Sequence, residues 1–170
     1  MTVTAVHKDT EALTLTVTAE FEAPPERVWQ LWADPRQLER WWGPPTYPAT
    51  FTRHDLTPGG KVEYHMTGPE GDQPRGYWEV VEVEEPRWLK FADGFLSVDG
   101  TVNGDFPVTT FRMSIEPIGE GRSRMTIDNE FASAKSMEQM LAMGMEAGLT
   151  GAIGQIDAIL AADTVDPTQA

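Results

Sequence analysis

The C-terminal part of the sequence constrains the fold most, because it is a long stretch without proline. From Ser133 to about Ala162 the residues favour a helix, and apolar side chains recur along one broad face. A helix with an apolar face must bury that face against another layer of structure. We therefore predict one long C-terminal helix that packs on the rest of the chain, with residues 163–170 as a flexible tail.

The part of the chain before this helix alternates apolar and polar residues in short segments, which is typical of half-buried strands. Residues 13–21 form the first such segment. Two short helices should follow it, the first beginning at Pro25 and the second capped by Asp34. Turn-forming Gly and Pro residues then separate the remaining predicted strands, which are 46–53, 61–67, 76–84, 88–93, 108–116 and 123–131.

This order of elements predicts an α+β fold. About six or seven antiparallel strands would form a curved sheet wrapped around the C-terminal helix, with two short helices after the first strand. A curved sheet and a straight helix do not match along their length, so a cavity should remain between them. The length of 170 residues suits a single domain over residues 1–170, with its core at about 11–162.

The charge balance excludes several classes of function. With 13 Lys+Arg against 27 Asp+Glu, the net charge of -14 leaves too few cations for nucleic-acid binding or a polybasic membrane anchor. No segment has the roughly 20 apolar residues of a membrane span, so we expect no membrane insertion. The N-terminus lacks the features of a signal peptide, and cysteine is absent, so we expect a cytoplasmic location. Whether the acidic surface reflects a salt-rich host stays open.

Several longer motifs resemble one known superfamily. They are "FEAPPERVWQLW" at Phe21–Trp32 with the "ADPRQLERWWGP" that follows, Asp55–Gly71, Gly76–Phe91 and Gly144–Ala161. Together they resemble the START-like (SRPBCC) helix-grip superfamily, and within it the branch of homologues of the heat-shock chaperone ATPase activator. The resemblance covers residues 11–162. It implies a curved antiparallel sheet that grips the C-terminal helix around an apolar cavity. Lipid carriers, hormone-binding proteins and polyketide cyclases share this fold, so the fold alone selects no function.

No catalytic or metal-binding motif stands out. His7, His54 and His65 are not at metal-ligand spacing, so we expect neither a metal nor a cofactor. The one candidate for catalysis is Glu79, which lies among aromatic and apolar residues on a predicted strand. If Glu79 points into the cavity, its carboxyl group would be a buried general acid or base; otherwise it faces solvent or pairs with an arginine.

The C-terminal helix offers the better indication of a binding site. It carries methionines, which adapt to varied apolar partners, and glycines on the same face, which lower helix propensity. Close packing against the sheet and room for a ligand both explain the glycines. Gln155 would be a polar anchor on that face. The candidate ligand-binding residues are Trp42, Phe51, Tyr64, Met66, Tyr77, Phe91, Phe95, Phe111, Met113, Met137, Met140, Leu141, Gly144, Gly148 and Gln155.

Three functions follow from these observations. The first is binding, transport or sensing of a small hydrophobic molecule, and the acidic surface would favour neutral or cationic ligands over fatty-acid-like anions. The alternative is a cyclase- or hydrolase-like enzyme that acts on a hydrophobic or polyketide-like substrate. A chaperone ATPase co-factor ranks last, because the resemblance implies that such activators carry a separate N-terminal domain, so a chaperone partner is not expected. A homodimer formed through Trp78 or Trp88 stays open.

Overall fold

The computed structural model describes residues 3–163, which form one eight-stranded antiparallel sheet and five helices. The order of strands across the sheet is β1-β2-β8-β7-β6-β5-β4-β3. The strands are β1 (Val3–Asp9), β2 (Thr14–Phe21), β3 (Ala49–His54), β4 (Lys61–Met66), β5 (Arg75–Glu84), β6 (Trp88–Leu96), β7 (Thr109–Gly119) and β8 (Arg122–Phe131). The helices are α1 (Pro25–Ala33), α2 (Pro35–Leu38), α3 (Ala134–Ala142), α4 (Met145–Ile153) and α5 (Ile156–Asp163).

Alternation places one face of each central strand in the core. In β2 every second residue is buried, from Leu15 to Phe21, while the residues between them are only half-buried. The same period continues through β8 and β7. The apolar residues of these inner faces and those of the C-terminal helices join in one core cluster. The predicted helix-grip fold is therefore confirmed.

An aromatic cluster fills one part of the concave face of the sheet. It combines tryptophans from α1 and the segment after α2 with rings from β5, β6 and β7. Trp42 meets Trp78 edge-on with ring centroids 4.9 Å apart, and Trp78 stacks on Phe91 at 4.0 Å. Because Trp78 is completely buried here, it cannot be the exposed aromatic residue that we considered for a homodimer.

The short helices begin where the sequence predicts. Pro25 is the first residue of α1. A backbone N–H at this position has no partner within the helix, so the missing N–H of proline costs no hydrogen bond. The side chain of Asp34 accepts a hydrogen bond from the backbone N–H of Arg36 and so caps α2. The segment that follows carries Trp41 and Trp42 inward, and the indole N–H of Trp41 donates to the carbonyl of Leu31 at 2.9 Å.

The prediction of one continuous C-terminal helix is wrong in its details. Gly144 has φ +87°, a left-handed conformation that ends α3 and starts α4 in a new direction. A second, milder interruption at Gly154 and Gln155 separates α4 from α5. Spacing alone assigned Gly144 and Gly148 to one helix face, whereas Gly144 is the joint between two helices.

The two ends of the chain also differ from the prediction. β1 pairs with β2 at the edge of the sheet and was not predicted, because its residues are mostly exposed and carry no buried period. Asp163 lies in α5, where its carboxylate pairs with Arg27, so it is not part of a tail. The remainder of the predicted tail, 164–170, lies outside the described residues. None of the described helices has the length and hydropathy needed to cross a membrane.

The joint at Gly144 gives a stability prediction. A Gly144→Ala variant should lose about 1 kcal/mol of unfolding free energy in urea, because an L-residue is strained at this φ. Gly151→Ala is the matched control: Gly151 lies inside α4, and its new Cβ would meet only Pro45, at 4.0 Å. This control should gain up to about 1 kcal/mol from helix propensity. Equal effects of the two substitutions would contradict the assignment of Gly144 as the joint.

Candidate functional site

An apolar cavity of about 230 Å³ lies between the concave face of the sheet and the joint of α3 and α4. The sheet contributes aromatic side chains and one carboxylate, and the helices contribute methionines and the bare backbone of two glycines. The residues that line the cavity are Trp42, Pro44, Tyr64, Met66, Asp93, Phe95, Phe111, Met140, Met143, Gly144, Met145, Gly148 and Leu149.

Asp93 is the one charged residue in this lining. It lies on β6 directly opposite Trp78 on β5, so it shares the inner face of the sheet with that tryptophan. The hydroxyl of Tyr64 donates a hydrogen bond to Asp93 Oδ1 at 2.9 Å. Gly76 makes room for this tyrosine, since a Cβ there would lie 2.4 Å from Tyr64 Cζ. The backbone of β5 thus allows the hydroxyl to reach the carboxylate.

The surroundings of Asp93 change its acidity. The residue is half-buried, but its carboxyl group is enclosed by protein atoms, and this desolvation raises its pKa from 3.8 to about 7. The hydrogen bond from Tyr64 acts in the opposite direction and is the smaller effect. Burial also raises the pKa of Tyr64 well above 10, and the nearby Asp93 charge adds to that shift. Near neutral pH, the carboxyl group of Asp93 is therefore only partly ionised, whereas the Tyr64 hydroxyl keeps its proton and remains a hydrogen-bond donor.

Further polar atoms around this pair lack hydrogen-bond partners. Within residues 3–163, the indole N–H groups of Trp42 and Trp78 and the hydroxyl of Thr109 are buried without a partner. Thr109 lies on β7 directly opposite Asp93. Both indoles lower the pKa of the Tyr64 hydroxyl, so their N–H groups point toward its oxygen, although neither meets the geometry of a hydrogen bond. Of these three residues, Trp42 is the one that lines the cavity. Since buried polar groups are normally hydrogen-bonded, its indole N–H suits a polar group that enters there.

Eight of the candidate residues named from the sequence do lie around this cavity. They come from the segment after α2, from three strands and from the helices on both sides of the α3–α4 joint. They are Trp42, Tyr64, Met66, Phe95, Phe111, Met140, Gly144 and Gly148.

The other candidates lie elsewhere. Phe51, Phe91 and Met113 are core residues with at most 4% of their surface exposed. Met137 and Leu141 line a separate pocket of about 150 Å³, which they share with Leu13 near the start of β2. A single straight helix would have aligned them with Gly148, but the break at Gly144 turns α3 away from α4 and removes that alignment.

Three polar candidates have other positions. Glu79 is exposed on the outer face of β5, so the hypothesis that it acts as a buried acid is wrong. Tyr77 lies on the same outer face, with its ring over Gly94. The amide of Gln155 donates to the carbonyl oxygens of Gly43 at 2.6 Å and Trp41 at 3.3 Å. Gln155 therefore holds the segment that carries Trp42 and is a positioning residue rather than a ligand anchor.

Sequence reasoning missed Asp93, although the pattern contained a signal for it. Leu89, Phe91, Asp93 and Phe95 are alternate residues of one strand, so the period of a strand assigns the carboxylate to the same face as the buried Leu89 and Phe91. We had ended this strand at Asp93, because Gly94 begins a glycine-rich segment. Pro44, Met143, Met145 and Leu149 were also absent from the candidates. No cluster of His, Cys, Asp or Glu in residues 3–163 could hold a metal ion.

The sequence and the fold match known proteins. Residues 22–161 match the family model described as Activator of Hsp90 ATPase homolog 1-like protein. No curated protein matches the chain. A crystal structure from Mycobacterium smegmatis is 50% identical, with a TM-score of 0.85 over 93% of this chain and 96% of that one. A solution structure from Arthrobacter aurescens is 51% identical, with a TM-score of 0.91 over 94% and 92%.

A more distant structure shares the fold. The crystal structure of the AHSA1 protein from Silicibacter pomeroyi is 23% identical, with a TM-score of 0.72 over 88% of this chain and 99% of that one. At this identity the likeness concerns the arrangement of the sheet and helices and not the chemistry of the cavity.

The raised pKa of Asp93 predicts a pH dependence of stability. Because the folded state holds this proton more tightly than the unfolded chain, Asp93 lowers stability as pH rises from about 4 to about 7. An Asp93→Asn variant should remove this loss, which is at most about 1.4 kcal/mol per pH unit. Urea unfolding of both proteins between pH 4 and pH 8 measures the difference. Parallel curves for the two proteins would contradict the desolvation of this carboxyl group.

Proposed function

Because the chain belongs to the Activator of Hsp90 ATPase homolog 1-like family, with its helix-grip fold, we propose that it binds a small hydrophobic ligand between sheet and helices. One observation carries this proposal: an apolar cavity whose lining includes a single carboxylate and the indole of Trp42, whose buried N–H has no hydrogen-bond partner within residues 3–163. Small-molecule sites combine an apolar lining with a few polar groups that fix orientation.

The size of the cavity limits the ligand. Its volume of about 230 Å³ is below the roughly 300–1,000 Å³ of sites that enclose drug-sized molecules. This supports a ligand with one aromatic ring or a short alkyl chain, rather than a polycyclic compound. We also propose the cytoplasm as the compartment, from the sequence expectations alone.

The helical side of the cavity is suited to ligand entry. Met140, Met143 and Met145 surround the α3–α4 joint, and Met143 has 49% of its surface exposed. Methionine side chains are flexible and rearrange around apolar partners of different shape. Transport or sensing would both use such an entrance, and the proposal covers either role.

Binding of neutral probes tests this function. Benzyl alcohol and 1-hexanol, titrated into the protein and followed by backbone amide NMR, should shift the resonances of residues around the α3–α4 joint. A Gly148→Leu variant should weaken this binding at least about tenfold, because a Cβ at Gly148 meets no atom within 4 Å and the new side chain would fill the cavity.

Ala147→Leu is the matched control for that variant. Ala147 is the preceding residue of α4 and is exposed, so its substitution leaves the cavity unchanged and should preserve the binding. Equal binding by Gly148→Leu and wild type would place the ligand elsewhere. No binding to the wild type by either probe, nor by an amine of the same size, would overturn the proposed function.

A second function rests on the Asp93–Tyr64 pair. A carboxyl group with a pKa of about 7, next to a tyrosine hydroxyl, has the properties of a general acid–base pair in a hydrolase- or cyclase-like enzyme. Phenyl acetate is a suitable probe, because a water activated by Asp93 would release phenol. Under this function Asp93→Asn should lose at least about 100-fold in the rate of release. Equal rates in the two proteins would leave binding as the function.

A further inference from the structure

We propose that the ligand of this cavity is a small hydrophobic amine, bound as its ammonium ion with the Asp93 carboxylate as the opposite charge. The inference rests on the proposed binding function and narrows its chemical class. It starts from the asymmetry of the lining, in which one acidic residue faces apolar and aromatic side chains and none of the lining residues is basic.

The carboxylate has one oxygen left for a ligand. Asp93 Oδ1 accepts the hydrogen bond from Tyr64 at 2.9 Å, and no hydrogen bond to Oδ2 occurs within residues 3–163. Asp93 is a lining residue of the cavity, whereas the Tyr64 hydroxyl is already used in donating to Oδ1. A ligand N–H donor placed at Oδ2 would complete the coordination of the carboxylate without disturbing the tyrosine.

None of residues 3–163 supplies a positive charge at this position. On β4, the titratable group that faces Asp93 is Tyr64. On β5, the outward-facing Tyr77 is near enough for the Asp93 charge to raise its pKa. The segments that cover the cavity from the helices contribute methionine, glycine and leucine, and β7 contributes Phe111 and the neutral Thr109. Since a buried charge is costly unless it is paired, a cationic ligand would stabilise the ionised carboxylate.

The rings around the carboxylate suit the same ligand. Trp42, Tyr64, Phe95 and Phe111 all line the cavity. The faces of aromatic rings attract ammonium groups, by about 0.5–2 kcal/mol for each good contact. A neutral alcohol would gain less from these faces, and a carboxylate ligand would place a second negative charge beside Asp93. The net charge of -14 also raises the local concentration of cations near the protein.

A matched series of three ligands tests the inference. Benzylamine, benzyl alcohol and benzoate share one ring and differ only in the charge of the head group. Measured by calorimetry at about pH 8, benzylamine should bind the wild type at least about tenfold more tightly than benzyl alcohol, and benzoate should bind most weakly. At about pH 6, protonation of Asp93 should weaken benzylamine about tenfold and leave benzyl alcohol unchanged.

Two variants identify the group responsible. Asp93→Asn should abolish the preference for benzylamine and leave the binding of benzyl alcohol unchanged. Asp105→Asn removes the same charge from an exposed residue, so its preference should match the wild type. Tyr64→Phe keeps the carboxylate and should keep the preference, which provides a second test if Asp93→Asn does not fold.

The outcomes separate the two proposals. Binding of benzyl alcohol as tight as that of benzylamine at both pH values, or a preference that survives in Asp93→Asn, would overturn the inference and leave the binding function standing. Binding of benzoate more tightly than benzylamine would likewise overturn the inference and leave the binding function standing. Failure of all three ligands to bind would overturn both proposals.

Discussion

The packing of tryptophan rings onto the concave face of the sheet is the interaction on which the other features depend. Trp32, Trp41 and Trp42 enter from α1 and the segment after α2, and they meet Trp78 and Phe91 on the strands. These rings fill one part of the concave face, so α3 and α4 cover the remainder. The cavity lies at the boundary between the two, with Trp42 as its wall, and Gln155 bonds the backbone around Trp42 to the C-terminal helices.

Most of the sheet could be predicted because it follows from a local rule. A strand with one face in the core alternates its side chains, and this rule assigns Tyr64, Phe95 and Phe111 to the cavity side. The same rule assigns Asp93 to that side, but the glycine after it ended the predicted strand too early. The edge strand β1 was missed because exposed residues carry no such period.

The helical side of the site could be predicted less well, because its geometry depends on single backbone angles. Gly144 and Gly148 look equivalent in the sequence, yet only Gly144 adopts a left-handed conformation. That one angle turns α3 relative to α4, so Met137 and Leu141 line a different pocket from Gly148. Gln155 was misassigned for a related reason: its amide finds backbone carbonyls in a segment more than 100 positions earlier, and no spacing rule contains that contact.

The position of Asp93 is the strongest argument that the cavity has a use. A carboxyl group enclosed so that its pKa rises to about 7 lowers the stability of the folded state at neutral pH, and a neutral side chain of similar size would avoid that loss. The fold does not require the charge, because Phe91 and Phe95 continue the same strand with apolar contacts. The buried indole N–H group of Trp42 adds an unmade hydrogen bond in the lining of the same cavity. A costly buried charge and a missing hydrogen bond on one wall of a cavity are explained most simply by a ligand that satisfies both.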